Sequence, residues 1–136
     1  MNAVIAQNPI FPLLSRTLIG LLFVVAGLRK AMMIAGTAGY FAKLGFPAPE
    51  IMAYLAVLIE VGGGLLLILG FRTRIIAWLL VAFVVIATGM AHRFWEFADA
   101  GAYTAQLNNF MKNVAIIGGL LMVITFGPGS ASVDKG

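Results

Sequence analysis

The stretch Ile51–Leu69, IMAYLAVLIEVGGGLLLIL, holds one charged residue, Glu60, in an otherwise uncharged run. A helix needs about 20 predominantly apolar residues to cross roughly 30 Å of hydrocarbon. The stretch is therefore predicted to span a membrane as a helix. A carboxylate inside such a helix is energetically costly, so Glu60 is expected to face other helices rather than lipid.

The composition of the whole chain agrees with a membrane protein. Of 136 residues, 62% are apolar and 10% are charged, whereas soluble domains are about a quarter charged. The absence of cysteine from the sequence excludes disulfides, thiolate-bound metals and cysteine-bound iron–sulfur clusters. The net charge of +4 comes from scattered Lys and Arg. Nucleic acid is therefore not a predicted partner, and anionic lipid fits better.

Three more apolar stretches complete the predicted architecture. With the first one, the predicted spans are about residues 13–35, 51–69, 75–91 and 110–126. The span near the N-terminus is predicted to be a retained helix rather than a signal peptide, because no basic residue precedes Arg16. We therefore predict a single all-α domain over residues 1–136, an integral membrane four-helix bundle with up-down-up-down topology and no intrinsic cofactor.

The connections between the spans indicate the orientation of the bundle. Two are long, Gly36–Glu50 and His92–Asn109, and are predicted to be loops at the membrane interface; one is a tight turn, Gly70–Arg74. An even number of spans places both termini on the side of the tight turn. Arg72 and Arg74 in that turn favour a cytoplasmic location for it and for the termini.

Four titratable residues are predicted to lie in one half of the bilayer. Counting from Leu69 at 1.5 Å per residue places Glu60 about 13 Å into the membrane, near its middle. The same counting places Lys30, His92 and Lys112 about 8 to 12 Å beyond Glu60, toward the long loops. Flexible lysine stems can bridge part of that distance.

Two interpretations of these residues stay open. Glu60 is either half of a buried ion pair or hydrogen bond that fixes helix pairing, or a group that handles a proton or a ligand. For Lys30 and Lys112, extension of the side chain to the interface is the favoured interpretation.

The remaining polar residues have simpler explanations. His92 is the single histidine of the chain, so it cannot supply two histidine ligands to a haem, and an interfacial hydrogen bond is more common for such a residue than a metal bond. No metal site is predicted. Asn113 could bridge two helices, and Arg16 is expected to anchor the chain at the interface. No motif identifies catalytic residues or a self-contained enzyme activity.

The sequence resembles the DoxX family, a group of small bacterial and archaeal membrane proteins with four helices. The resemblance covers nearly the whole chain and is carried by Gly27–Lys30, Tyr40–Pro47, Ile59–Arg74, Phe110–Leu121, Gly127–Gly129 and Asp134. It implies a multi-pass protein of a prokaryotic inner membrane.

The resemblance also implies a function tied to redox metabolism. The expected role is an accessory subunit of a quinone-linked or oxidative-stress-related membrane redox complex, with quinone as the candidate ligand and an oxidoreductase as the partner. Carried over by position, the candidate site residues are Glu60, Lys30, His92, Lys112 and Asn113. The alternative is a structural scaffold, or a transport module for a small solute or protons, without a redox role. Whether the chain forms an oligomer stays open.

Overall fold

The protein, described over residues 8–135 by a computed structural model, is helical. In chain order the elements are α1 (Ile10–Met32), α2 (Ile34–Lys43), α3 (Pro49–Val57), a π-helical segment (Leu58–Gly62), α4 (Gly63–Leu69), α5 (Thr73–Ala91), a short 3-10 turn (Phe94–Glu96) and α6 (Ala100–Phe126). No β-strand occurs within these residues, which confirms the predicted all-α class. Residues 1–7 and 136, which the predicted domain includes, lie outside the described residues.

Within residues 8–135, four segments are long and apolar enough to cross a membrane: Ile10–Met32, Pro49–Leu69, Thr73–Glu96 and Ala100–Phe126. The second span is continuous and consists of α3, the π-helical segment and α4. Many large apolar side chains on these spans point outward, where they would be unfavourable in water and favourable in lipid. The chain is an integral membrane four-helix bundle, as predicted.

The first two spans pack closely and run antiparallel. Gly20 of α1 faces Gly64 of α4, and a Cβ on Gly20 would lie 2.6 Å from the Gly64 carbonyl oxygen. Contacts of small residues like these let two transmembrane helices approach closely. Arg16 near the start of α1 contacts the end of α4, whereas Lys30 near the end of α1 contacts Glu60, which lies earlier in the second span.

The remaining helices close a ring. Gly63 of α4 packs against Leu80 of α5, and α5 pairs with α6. Gly119 of α6 then returns to Ile19 of α1, where a Cβ on the glycine would lie 3.0 Å from Ile19 Cδ1. The enclosed core consists of Phe23, Leu67, Ala77, Leu80, Val84, Leu120 and Val123.

The helix bounds differ from the predicted spans by up to three residues at most ends and by ten residues at the start of the last helix. The last helix begins at Ala100 rather than at residue 110, because its first ten residues are too polar for a hydropathy criterion yet are still helical. Asp99 caps this helix by accepting a 2.8 Å hydrogen bond from the Ala102 amide. The first span ends at Met32 rather than at residue 35, and the additional helix α2 begins at Ile34 and continues through the first part of the predicted loop.

The opposite end of the bundle is closed by the C-terminal segment. Gly70 ends α4 with a positive φ of 71°, a conformation that glycine adopts without strain. The chain after α6 returns to this turn, where the amides of Val133 and Asp134 donate to the carbonyl oxygens of Leu69 and Gly70 at 3.1 and 2.8 Å. The tight turn and the C-terminal segment therefore form one hydrogen-bonded unit.

Candidate functional site

The π-helical segment places Glu60 inside the bundle. A π turn inserts one extra residue into a helix and so rotates the side chains on either side of it relative to each other. Glu60 lies in the middle of this segment and is 4% exposed. Such bulges occur often at functional sites, where a local change of register directs one side chain inward.

Glu60 forms an ion pair with Lys30 across the interface of the first two spans. Lys30 Nζ lies 3.0 Å from Oε1 and 2.9 Å from Oε2 of the carboxylate. Gly27 makes this approach possible, because a Cβ at its position would lie 3.0 Å from Glu60 Cβ and 2.7 Å from Val61 Cγ2. The predicted segment Gly27–Lys30 thus combines a small residue for close packing with the cation for the pair.

The two partners of this pair differ in burial. The Glu60 side chain is 6% exposed, whereas the Lys30 side chain is 29% exposed. Of the two interpretations of Lys30, the structure shows ion pairing rather than extension to the interface. The pair places opposite charges in contact, which reduces the cost of holding Glu60 away from water.

The ion pair lines a cavity of about 900 Å³ between the helices. Most of the wall is apolar and comes from α1, α3 and α5, with further contributions from α2, Phe46 and α6. Some wall residues, including Leu21, Leu55 and Ile86, are also exposed on the outer surface that faces lipid. The cavity is therefore within reach of an apolar molecule from the bilayer.

Three other predicted site residues line the same cavity, but they do not contact Glu60. His92 Nδ1 lies 2.9 Å from Gln106 Oε1, and because that oxygen can only accept, Nδ1 is the donor. Asn113 Nδ2 donates to Thr88 Oγ1 at 2.9 Å, which joins α6 to α5. Lys112 is exposed and has no hydrogen-bond partner within residues 8–135.

Sequence reasoning missed the partners Gln106 and Thr88. Gln106 lies in a segment that was predicted to be a loop, so its helical position beside His92 was not foreseen. Thr88 is 6% exposed, and its hydroxyl also donates to the Val84 carbonyl at 2.6 Å. In the sequence, a threonine whose hydroxyl bonds to its own helix cannot be distinguished from any other threonine in an apolar segment.

Arg16 is a further residue whose role was not foreseen. It was predicted to be an interface anchor, but it is 1% exposed. Its guanidinium donates to the carbonyl oxygens of Leu67 and Ile68 at 3.2 and 2.8 Å, and to that of Ala131. Arg16 therefore joins α1 to the end of α4 and to the C-terminal segment, at the end of the bundle away from the Lys30–Glu60 pair.

The site thus has two chemical components within one membrane cavity. One is a buried carboxylate paired with an ammonium group, and the other is a set of hydrogen-bonding groups on His92 and Asn113. Together they could bind a ligand with an apolar body and a polar end, and the carboxylate could accept a proton. Within the described residues, no cluster of three acidic or histidine side chains could hold a metal ion.

Comparisons with known proteins show the family of the chain. The DoxX family profile matches residues 11–93. "Inner membrane protein YphA" of Escherichia coli (strain K12) is 35% identical over 130 residues, which are 96% of this chain and 92% of that protein. "Inner membrane protein YqjF" of the same organism is 37% identical over 123 residues, 90% of this chain and 88% of that protein.

A third relative carries a redox name. "Putative oxidoreductase CatD" of Bacillus subtilis (strain 168) is 41% identical over 64 residues, 47% of this chain and 46% of that protein. No solved structure matches the chain.

Proposed function

The chain belongs to the DoxX family, and we propose that it is an accessory subunit of a quinone-linked or oxidative-stress-related redox complex in a prokaryotic inner membrane. The observation that carries the proposal is the buried Lys30–Glu60 pair in the wall of an apolar cavity of about 900 Å³. The family relation to a protein named as an oxidoreductase supports the redox context.

The residues of the cavity fit a quinone. Its ring and isoprenoid tail are apolar and would occupy the apolar wall, while its two oxygens need hydrogen-bond donors. Lys30 and Asn113 are donors in the wall, and the exposed ammonium of Lys112 offers a third. Cavities that bind such ligands are typically 300 to 1,000 Å³, mostly apolar, and carry a few positioned polar groups.

A bound quinone would supply the chemistry of two electrons and two protons. The chain itself would bind and orient it. Lys30, held by Glu60 at 2.9 Å, would direct an N–H group toward a ligand oxygen. Glu60 would accept a proton when one is released nearby.

The electrons would have to come from another protein, because the chain has no cysteine and no predicted cofactor site of its own. An oxidoreductase partner is therefore part of the proposal. To test it, the tagged chain would be solubilised gently from native membranes and the associated proteins identified. We expect an oxidoreductase to be recovered with the wild-type chain. The same complex with the Glu60→Gln variant should turn over quinol more slowly.

The matched control for this experiment is Glu50→Gln, which changes an exposed glutamate at the start of α3. This control should leave quinol turnover unchanged. If the recovered complex has the same turnover with wild type and Glu60→Gln, the redox role is refuted.

A scaffold or transport module is the second candidate, and one observation favours it. Glu60 is paired with Lys30, and Arg16 on α1 donates to α4 and to the C-terminal segment, so both buried charges connect separate parts of the bundle. In that case Glu60→Gln would lower thermal stability and leave quinol turnover intact. A flux of protons or small solutes in liposomes would then separate transport from scaffolding.

We also propose that the termini and the tight turn face the cytoplasm. Arg72 and Arg74 in the turn support this orientation. Since the chain lacks cysteine, single cysteines can be introduced at two exposed positions, Ser130→Cys and Lys43→Cys. A membrane-impermeant thiol reagent applied to intact cells with a permeable outer membrane should label Lys43→Cys only, and labelling of Ser130→Cys alone would reverse the orientation.

A further inference from the structure

A second pocket lies at the end of the bundle that holds Arg16 and the tight turn. It has a volume of about 290 Å³ and is lined by Arg72, Arg74, Ile75, Pro128, Asp134 and Lys135. Three of these residues are cations and one is an acid. The pocket sits where the tight turn meets the C-terminal segment, at the membrane boundary of α5.

Asp134 is the one carboxylate among the described residues of the pocket, and it is already hydrogen-bonded. Asp134 Oδ1 accepts from the Arg72 amide at 2.8 Å, and Oδ2 accepts from the Thr73 amide at 2.8 Å and from the Thr73 hydroxyl at 2.7 Å. These bonds cap the start of α5 and lower the pKa of Asp134, chiefly through the Thr73 amide. Both carboxylate oxygens of Asp134 are thus bonded to the start of α5. The three cations that line the pocket outnumber this single negative charge.

Arg74 is held in position, whereas Arg72 and Lys135 are not. Arg74 Nε donates to the Ile124 carbonyl at 3.0 Å, and its guanidinium lies against Gly127. Within residues 8–135 its two Nη groups have no hydrogen-bond partner, so their donors remain available to a ligand. The side chains of Arg72 and Lys135 are exposed and without ion-pair partners in the same residues.

The apolar side of the pocket faces the bilayer. Ile75 is 61% exposed on α5, and Pro128 forms a buried wall beside it. Trp78 follows Arg74 by four positions on the same helix face and is also exposed. Tryptophan prefers the level of the headgroups at a membrane interface. Arg74, the apolar wall of Ile75 and Pro128, and Trp78 therefore lie next to one another at that level.

We propose that this pocket binds the phosphate of an anionic phospholipid, with the headgroup oxyanion at Arg74, Arg72 and Lys135 and the start of the acyl chains along Ile75. A phospholipid headgroup and free phosphate both present an oxyanion that these cations could bind. The apolar wall and the position at the bilayer boundary favour the lipid as its source. This site is separate from the cavity at Glu60, so the two proposals stand or fall independently.

The test measures lipid retention by the full-length protein in detergent, using native mass spectrometry with added phosphatidylglycerol. The variant is Arg72→Gly with Lys135→Gln. Arg72 has a positive φ of 46°, which glycine adopts more easily, so the fold is retained. Removing each cation should weaken phosphatidylglycerol binding by about fivefold, while Lys43→Gln at the opposite end should have no effect.

Two competitors identify the source of the oxyanion. Phosphatidylcholine and millimolar inorganic phosphate should both fail to displace phosphatidylglycerol from wild type. Equal retention by wild type and the double variant would overturn the proposal. Displacement by inorganic phosphate would also overturn it, because the site would then be one for free phosphate.

Discussion

The two residues of the Lys30–Glu60 ion pair should contribute unequally to the stability of the protein. The Glu60 side chain is 6% exposed and has no route to the interface, whereas the 29% exposed Lys30 can extend along its own stem. The loss of either partner leaves a charge behind, but only the lysine can move that charge toward water. Stability should therefore depend more on the cation than on the acid.

This asymmetry predicts the order of two single variants. Lys30→Met strands the carboxylate and should lower the free energy of unfolding by about 3 to 5 kcal/mol. Glu60→Gln should cost less, since Lys30 can turn outward, and the double variant should recover part of the Lys30→Met loss. Unfolding by sodium dodecyl sulfate in mixed micelles measures these values.

Exposed residues provide the controls for this cycle. Lys43→Met and Glu50→Gln alter the same residue types at exposed positions and should change the free energy of unfolding by no more than about 0.5 kcal/mol. If Glu60→Gln lowers the free energy of unfolding more than Lys30→Met does, side-chain exposure does not determine which partner matters more.

At the scale of single residues, the sequence predicts the buried charge of Glu60 but not that of Arg16. Glu60 is conspicuous because it interrupts an apolar run, and depth counting makes Lys30 one of its candidate partners. Arg16 lies near the start of a span, where arginines usually meet the headgroups. Its burial depends on the return of residues 127–135 to the turn, which no local pattern reveals.

At the scale of elements, the close contact of α1 with α4 depends on two glycines. A Cβ on Gly20 would meet a backbone oxygen at 2.6 Å, and a backbone atom cannot move aside as a flexible side chain can. Gly20→Ala should therefore separate the helices and lower the free energy of unfolding by about 1 to 3 kcal/mol. Thermal denaturation in detergent is the measurement.

Gly118→Ala is the matched control, because no heavy atom lies within 4 Å of a Cβ built at Gly118. This change should leave the melting temperature unchanged or raise it slightly, since alanine favours helix more than glycine does. Equal losses in the two variants would mean that the α1–α4 contact is not closely packed.

The cap of α5 predicts a dependence of stability on pH. The folded protein lowers the pKa of Asp134 below its unfolded value, chiefly through the Thr73 amide and hydroxyl. The stabilisation is therefore fully present above the unfolded pKa and is lost as the pH falls through the folded pKa. Asp134→Ala should be less stable than wild type at pH 7, and the difference should shrink as the pH falls into the acid range.

Lys135→Ala provides the control for the cap, because it alters the adjacent exposed residue without touching the hydrogen bonds. Its difference from wild type should not follow the acid titration. Melting temperatures of the three proteins between pH 7 and pH 3 measure the effect. A constant gap between wild type and Asp134→Ala across that range would contradict the cap.

The elements that sequence reasoning predicted are those set by hydropathy. All four spans were found, because each needs about 20 apolar residues. The π-helical segment was not, since its extra residue leaves the apolar composition unchanged. The first ten residues of α6 and residues 36–43 of α2 lie in predicted loops, because polar or interfacial helices resemble loops in a hydropathy profile.

At the scale of the molecule, the two halves of the bundle differ: one end is tied together by hydrogen bonds, and the other half holds the cavity. Arg16, the tight turn and the C-terminal segment hold the helices together at the first end. Toward the other end the same helices leave the cavity of about 900 Å³ that holds the Lys30–Glu60 pair. A ligand from the bilayer could thus be bound without loosening the bundle as a whole.

We propose that this cavity holds a quinone against the Lys30–Glu60 ion pair. The most direct measurement is the amount of quinone extracted per protein after purification from native membranes in a mild detergent. Wild type and the Glu50→Gln control should retain quinone in near-stoichiometric amount, whereas Lys30→Met with Glu60→Gln should lose most of it. Absence of quinone from wild type, or equal amounts in all three proteins, would contradict the account.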